Sequence, residues 1–125
     1  MDNAQMEAIY TMAKAIYNKR ESLTEGARRL YLTHEINPNS FADYYRAFQK
    51  MLDGELHTRN IGSGIREYFL SRIFQDYGPS KLQTALSAYK KFIEYGEDTH
   101  YTNRKLDREI YTKYSNLLKS HYLRP

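Results

Sequence analysis

The stretch INPNSFADYYRAFQKMLDG, residues 36–54, carries the clearest helix signal in the chain. Asn37 can cap the helix with its side-chain oxygen, and Pro38 suits the first helical position, where its missing N–H leaves no hydrogen bond unmade. Apolar residues recur every three or four positions across residues 41–52, which is the period of a helix with one buried face. Gly54 can adopt the left-handed conformation that ends a helix.

The same period recurs on both sides of this helix, and no segment alternates polar and apolar residues as a strand would. Two serine-led patterns, Ser22–Glu25 and Ser80–Gln83, predict capping boxes at the starts of two further helices. Six helices are predicted, over residues 3–20, 22–35, 38–53, 63–77 and 80–96 and from about residue 104 onward. The predicted fold is all-α, a compact bundle of about six helices in a single domain, residues 1–125.

Composition excludes several classes of protein. The chain has no cysteine, which removes disulfides, thiolate nucleophiles and cysteine-based zinc sites. The four histidines are scattered, with no pair four residues apart on a predicted helix, so we expect no metal site. No apolar run approaches the ~20 residues of a membrane span, and the acidic start does not resemble an export signal. We expect a cytoplasmic protein that needs no cofactor and is not an enzyme.

Charge and tyrosine content permit a nucleic-acid partner. Lys and Arg number 19 and Asp and Glu 15, for a net charge of +4 and an isoelectric point of about 9.2. Tyrosine is unusually frequent, at 13 residues, and its ring suits half-buried and contact positions. The pairs Lys90–Lys91 and Arg104–Lys105 are interpreted most simply as solvated faces, although either could extend a basic surface.

The second and third predicted helices, joined by the short turn Ile36–Asn37, resemble a helix-turn-helix. In that motif the second helix enters the major groove, led by its N-terminal residues. Asn can read adenine and Arg can read guanine. The predicted contacts are Arg28 and Arg29 with phosphates, and Asn39, Ser40 and Arg46 with base edges. The alternative is an ordinary helical hairpin whose polar residues are solvated.

The loop HTRNIGSGIR, residues 57–66, is a second candidate site. It is rich in glycine, carries Arg59 and Arg66, and opens a helix whose free N–H groups can attract an anion. It lacks the Gly-Lys-Ser/Thr of a nucleotide-binding P-loop. The alternative is a flexible connector that Ser63 caps.

Three tyrosines lie near these two candidate sites in the sequence. They could stack on bases or line a pocket for an extruded base. Most of the tyrosines lie on the apolar stripes of the predicted helices, however, which favours packing in the core with the hydroxyl at the rim. The residues concerned are Tyr44, Tyr45 and Tyr68.

One part of the chain resembles a known family. Residues 39–59, with EYFLSRIFQDYG at 67–78 and FIEY at 92–95, are similar to helical domains found N-terminal to HNH restriction-type endonucleases. The resemblance covers about residues 22–97. It implies recognition of DNA, including modified DNA, in restriction or phage defence. The HNH motif itself is absent from this chain, so the resemblance implies the recognition half only, as a stand-alone protein or a fragment of a nuclease.

Together these features predict a non-catalytic DNA-binding module. The alternative is an adaptor that binds a protein or a small, nucleotide-like ligand, for example a phage anti-defence factor. The sequence leaves the oligomeric state open.

Overall fold

Six α-helices occupy the part of the chain that the computed structural model describes, residues 1–100 and 102–123. Within those residues there is no strand, so the all-α prediction is confirmed. None of these helices has the length and apolar character that a membrane span requires. The helices are α1 (Asn3–Tyr17), α2 (Leu23–His34), α3 (Pro38–Asp53), α4 (Ser63–Tyr77), α5 (Pro79–Thr99) and α6 (Lys105–Tyr122).

Helix α3 begins and ends as its sequence predicts. The side-chain oxygen of Asn37 accepts hydrogen bonds from the backbone N–H groups of Asn39, at 2.9 Å, and Ser40, at 3.2 Å. Gly54 follows the helix with a φ of 72°, which is the left-handed conformation expected of a glycine at a helix end.

Helix α2 has half of its predicted capping box. Ser22 Oγ accepts the N–H of Glu25 at 3.1 Å, as predicted. The N–H of Ser22, however, donates to Glu21 Oε1 at 3.1 Å, and the Glu25 carboxylate bonds to Arg28 instead. The reciprocal bond is therefore replaced by an ion pair within the helix.

Helix α5 extends further at both ends than its sequence predicts. It begins at Pro79, so Ser80 lies within the helix and does not cap it. It also passes through Gly96, the predicted end, and continues to Thr99. At Gly96 a Cβ atom would clash with the side chain of Arg104. The glycine permits a close approach rather than a helix end.

Contacts within the chain divide it into two units, Met1–Gln49 (unit 1) and Lys50–Pro125 (unit 2). In unit 1, α1 packs against α2. The edges of two tyrosine rings, Tyr10 and Tyr17, meet Phe48 with centroids 5.5 and 6.0 Å apart. The single domain over residues 1–125 stays a prediction.

Unit 2 is built around α5, which packs against both α4 and α6. The apolar residues of α4 and α5 face this interior, and four large ones are buried, namely Phe69, Ile73, Leu86 and Phe92. Tyr89 and Tyr114 are also buried in this unit.

Truncating Phe92 should be costly, because its side chain is 1% exposed. We expect Phe92→Ala to lower the free energy of unfolding by about 3–5 kcal/mol, measured by urea denaturation. Leu106→Ala is the control, since Leu106 is 58% exposed, and should change the unfolding free energy by less than about 0.5 kcal/mol. A Phe92→Ala protein as stable as its parent would contradict the core assignment.

Candidate nucleic-acid interface

Positive charge is divided unequally between the two units. Residues 1–49 hold six Lys or Arg and six Asp or Glu, whereas residues 50–125 hold thirteen and nine. The whole net charge of +4 therefore belongs to unit 2. Long-range attraction to a phosphate backbone follows net charge, so it favours unit 2 over the predicted helix-turn-helix.

The two arginines predicted to contact phosphates from α2 are ion-paired within unit 1. Arg28 Nε donates to Glu25 at 3.1 Å, and this hydrogen bond holds the pKa of Glu25 below its usual value. Arg29 Nη2 lies 2.8 Å from Glu21 and its Nε lies 3.8 Å from Glu25. Both side chains are more than half exposed. A phosphate would have to compete with these carboxylates.

The residues predicted to read bases lie at the surface of α3. Asn39 is exposed in the first turn, and Ser40 beside it is half-buried. Arg46 has a side chain that is 56% exposed, with Nη1 3.8 Å from Asp43. All three are accessible from solvent, and base reading by them stays a prediction.

The predicted stacking tyrosines are only partly accessible. Tyr44 and Tyr45 are half-buried, and burial raises the pKa of Tyr44. Tyr68 is also half-buried, and its hydroxyl accepts a hydrogen bond from Arg72 Nη1 at 2.9 Å. Stacking on a base would require each ring to expose a face that these surroundings partly cover.

The position of Arg66 contradicts its predicted role in the anion-binding loop. Its side chain is buried, with 1% of the residue exposed, so the predicted phosphate contact is wrong. The guanidinium lies over the ring of Phe92, 3.8 Å from the centroid, and Nη2 donates to the carbonyl of Arg59 at 2.9 Å. Ser63 does not cap α4 either, because Gly62 holds the cap position and Ser63 is the first residue of the helix. The Ser63 hydroxyl donates to Asp107 at 2.9 Å instead. Arg59 itself stays exposed in the loop.

Phe92 carries a second guanidinium. Arg104 Cζ lies 4.4 Å from the same ring centroid, and its side chain is 12% exposed. Cation–π attraction is strongest where water is excluded, as it is here. Burial lowers the pKa of Arg66 to about 10, which still leaves the group protonated at neutral pH. Two cations are thus held in the interior of unit 2.

Asp107 supplies the negative charge that these cations require. It is 5% exposed, and Oδ1 accepts hydrogen bonds from Tyr89 Oη at 2.5 Å and from Ser63 Oγ at 2.9 Å. Its Oδ2 lies 3.8 Å from Arg104 Nη1. Burial, and then the bond to Asp107, raise the pKa of Tyr89, so the phenol stays a donor. The cluster joins α4, α5 and α6 through Arg66, Phe92 and Asp107.

A groove of about 720 Å³ runs between α5 and α6 on the surface of unit 2. Arg108 of α6 donates to Glu97 of α5 at 2.8 Å close to the connection, as expected of an antiparallel helix pair. The lining positions recur at three- and four-residue intervals, so each helix contributes one face. We call this the α5–α6 groove; it is lined by Gln83, Leu86, Ser87 and Lys90 of α5, and by Tyr111, Ser115, Leu118, Lys119, Tyr122 and Leu123 of α6.

The α5–α6 groove combines rings, apolar surface and positive charge. Among residues 1–100 and 102–123, the charged residues that line it are Lys90 and Lys119. Both are exposed, and neither is ion-paired to a carboxylate of those residues. Tyr111 is half-buried and Tyr122 is 59% exposed. Aromatic rings beside unneutralised cations are the usual elements of a surface that binds single-stranded nucleic acid.

Sequence reasoning missed this groove because it depends on how α5 and α6 pair. The sequence predicts Lys90 in a solvated face and gives no local signal for Lys119. The available signal is the spacing of Tyr111, Leu118 and Tyr122, which places the three side chains on one face of a helix.

No protein-family model matches the chain, and neither does any curated protein or solved structure. The likeness to helical domains of HNH endonucleases therefore stays a resemblance. In the part of the chain that the structure describes, no three His, Asp or Glu side chains form a group that could hold a metal ion.

Removing the charge of Asp107 should destabilise unit 2. Asp107→Asn keeps the size of the side chain but leaves Arg66 and Arg104 without a counter-charge, which should cost about 3–5 kcal/mol of unfolding free energy in urea denaturation. Glu109→Gln is the matched control, because Glu109 is exposed on the same helix. Equal stability of the two variants would contradict the role given to the buried cluster.

Proposed function

We propose that the protein is a non-catalytic DNA-binding module that contacts DNA through the α5–α6 groove. The observation that carries the proposal is that Lys90 and Lys119, which form no ion pair with any residue that the structure describes, line the same groove as Tyr111 and Tyr122. They lie in the unit that holds all of the net positive charge.

Each kind of lining residue has a part in this function. The two lysines contact phosphates, and the counterions released from the DNA supply most of the affinity. The tyrosine rings offer flat surfaces for bases. The side chains of Gln83, Ser87 and Ser115 can donate and accept hydrogen bonds at base edges.

The exposed end of α3 adds a second element to the proposal. Contacts to phosphates hold a protein on DNA, whereas contacts to base edges select the sequence. Asn39, Ser40 and Arg46 are proposed to give this preference, through a helix-turn-helix formed by α2 and α3. The resemblance to recognition domains of restriction-type endonucleases supports a role in restriction or phage defence, in the cytoplasm, where DNA is accessible.

A second candidate function is that of an adaptor for an acidic protein segment. Leu86, Leu118 and Leu123 give the α5–α6 groove an apolar lining, and Leu123 is 83% exposed. An amphipathic helix with acidic residues beside its apolar face would suit such a groove. The two functions differ in their ligand. The DNA-binding module binds oligonucleotides with an affinity that falls as salt rises, whereas the adaptor does not bind DNA.

Salt dependence is the primary test of DNA binding. Binding of labelled mixed-sequence oligonucleotides, single-stranded and duplex, is followed by fluorescence anisotropy from about 50 to 200 mM salt. Lys90→Ala and Lys119→Ala should each weaken binding and reduce the slope of log affinity against log salt by about 0.7–0.9, one phosphate contact per lysine.

Lys105→Ala is the matched control for these variants. Lys105 is exposed on α6 and is not ion-paired to a carboxylate among residues 1–100 and 102–123, but it lies outside the α5–α6 groove. The substitution makes the same change in net charge, and we expect it to leave the salt slope nearly unchanged. If no oligonucleotide binds at low salt, DNA binding is wrong and the adaptor is favoured.

Sequence preference tests the α3 contacts separately. Asn39→Ala or Arg46→Ala should relax the preference among sequences or modified bases by about 1–3 kcal/mol, the value of a lost bidentate contact. Average affinity and salt slope should change little. Binding curves identical to those of the parent on every DNA would remove the helix-turn-helix from the proposal and leave the groove in place.

A further inference from the structure

The dimensions of the α5–α6 groove restrict what can enter it. The groove lies along the seam of two packed helices, whose axes are about 8–10 Å apart, and such a seam can take a planar ring but cannot take in a whole duplex. A volume of about 720 Å³ lies within the usual range of small-ligand sites. A base could therefore enter the groove only after leaving the double helix.

The tyrosines lead to the same restriction. In a duplex, neighbouring bases cover both faces of each base, so a protein ring can stack only on a base that is unpaired or extruded. Tyr111 and Tyr122 share one face of α6 and lie about 16 Å apart along the helix axis. A short strand lying along the groove could reach both rings, whereas a single extruded base could not.

Lys90 and Lys119 are arranged to hold the backbone of such a strand. Lys90 is the last lining residue of α5, and Lys119 lies near the end of α6. Because the two helices run antiparallel, the lysines lie toward opposite ends of the groove. Each can therefore contact a different phosphate of the same strand, while the apolar and aromatic floor between them contacts the bases.

Hydrogen-bonding side chains favour nucleotides over an apolar peptide face. Gln83, Ser87 and Ser115 line the groove among its leucines. Covering these polar groups with an apolar helix face would leave them without partners, which costs free energy. Base edges and sugar oxygens can satisfy them instead.

We infer that the α5–α6 groove binds a short unpaired segment of DNA, so that the protein prefers single-stranded or locally unpaired DNA to a continuous duplex. This inference rests on the proposed DNA-binding function and names the form of DNA that the groove takes.

The test compares three DNAs of one sequence, namely a single strand, a continuous duplex and a duplex with a central unpaired bulge that contains 2-aminopurine. The full chain should bind the single strand and the bulged duplex about tenfold more tightly than the continuous duplex, because only an unpaired base can stack on a tyrosine ring. The fluorescence of 2-aminopurine in the bulge should change on binding as its base stacks on a tyrosine ring.

Tyr122→Leu keeps an apolar side chain but removes the ring. It should lose the preference for unpaired DNA by about tenfold and leave duplex affinity unchanged. Tyr31→Leu is the matched control, since Tyr31 is 55% exposed on α2, much as Tyr122 is 59% exposed on α6. It should bind all three DNAs as the parent does.

The outcomes separate this inference from the proposed function. Equal or tighter binding of the continuous duplex, with a normal salt slope, would overturn the inference and leave DNA binding intact. Absence of binding to all three DNAs would overturn both the inference and the proposed DNA-binding function. Equal behaviour of Tyr122→Leu and Tyr31→Leu would also overturn the inference. Tighter binding of an RNA strand of the same sequence would overturn DNA as the ligand.

Discussion

The buried stack of Arg66 and Arg104 on the ring of Phe92 is the interaction on which unit 2 depends. Two guanidinium groups can stay in the interior only because Phe92 provides a π face and Asp107 provides a negative charge. The contributing residues come from α4, α5 and α6, so the stack fixes these helices against one another. Gly96 leaves space for Arg104. The α5–α6 groove exists at the surface because this interior cluster holds α5 and α6 together.

Local features of the fold could be predicted from sequence, and features that join distant residues could not. The cap at Asn37, the glycine after α3 and the bounds of α4 depend on a few neighbouring residues. The sequence predicts that Gly96 ends α5. The glycine instead leaves room for the side chain of Arg104, which packs against it only after the chain has turned back. The sequence also predicts Arg66 at the surface. Its burial could not be predicted, because the ring that covers it, Phe92, comes from another helix.

The class of ligand for the candidate site could be predicted from the sequence, but the location of the site could not. A basic, tyrosine-rich chain favours a nucleic-acid partner, yet composition does not say which helix faces carry the tyrosines and lysines together. The ion pairs of Arg28 and Arg29 with Glu25 follow from their three- and four-residue spacing and could have been predicted. The pairing of α5 with α6, which assembles the α5–α6 groove, has no such local signal.

The most direct test of the account is to map the DNA contact residue by residue. Backbone amide signals of the isotope-labelled full chain are followed by NMR as a short single-stranded oligonucleotide is added at low salt. We predict that the changes concentrate in Gln83–Lys90 and Tyr111–Leu123, the two faces of the α5–α6 groove. Changes confined to residues 22–46, or no change at saturating DNA, would contradict the claim that this groove is the DNA-binding site.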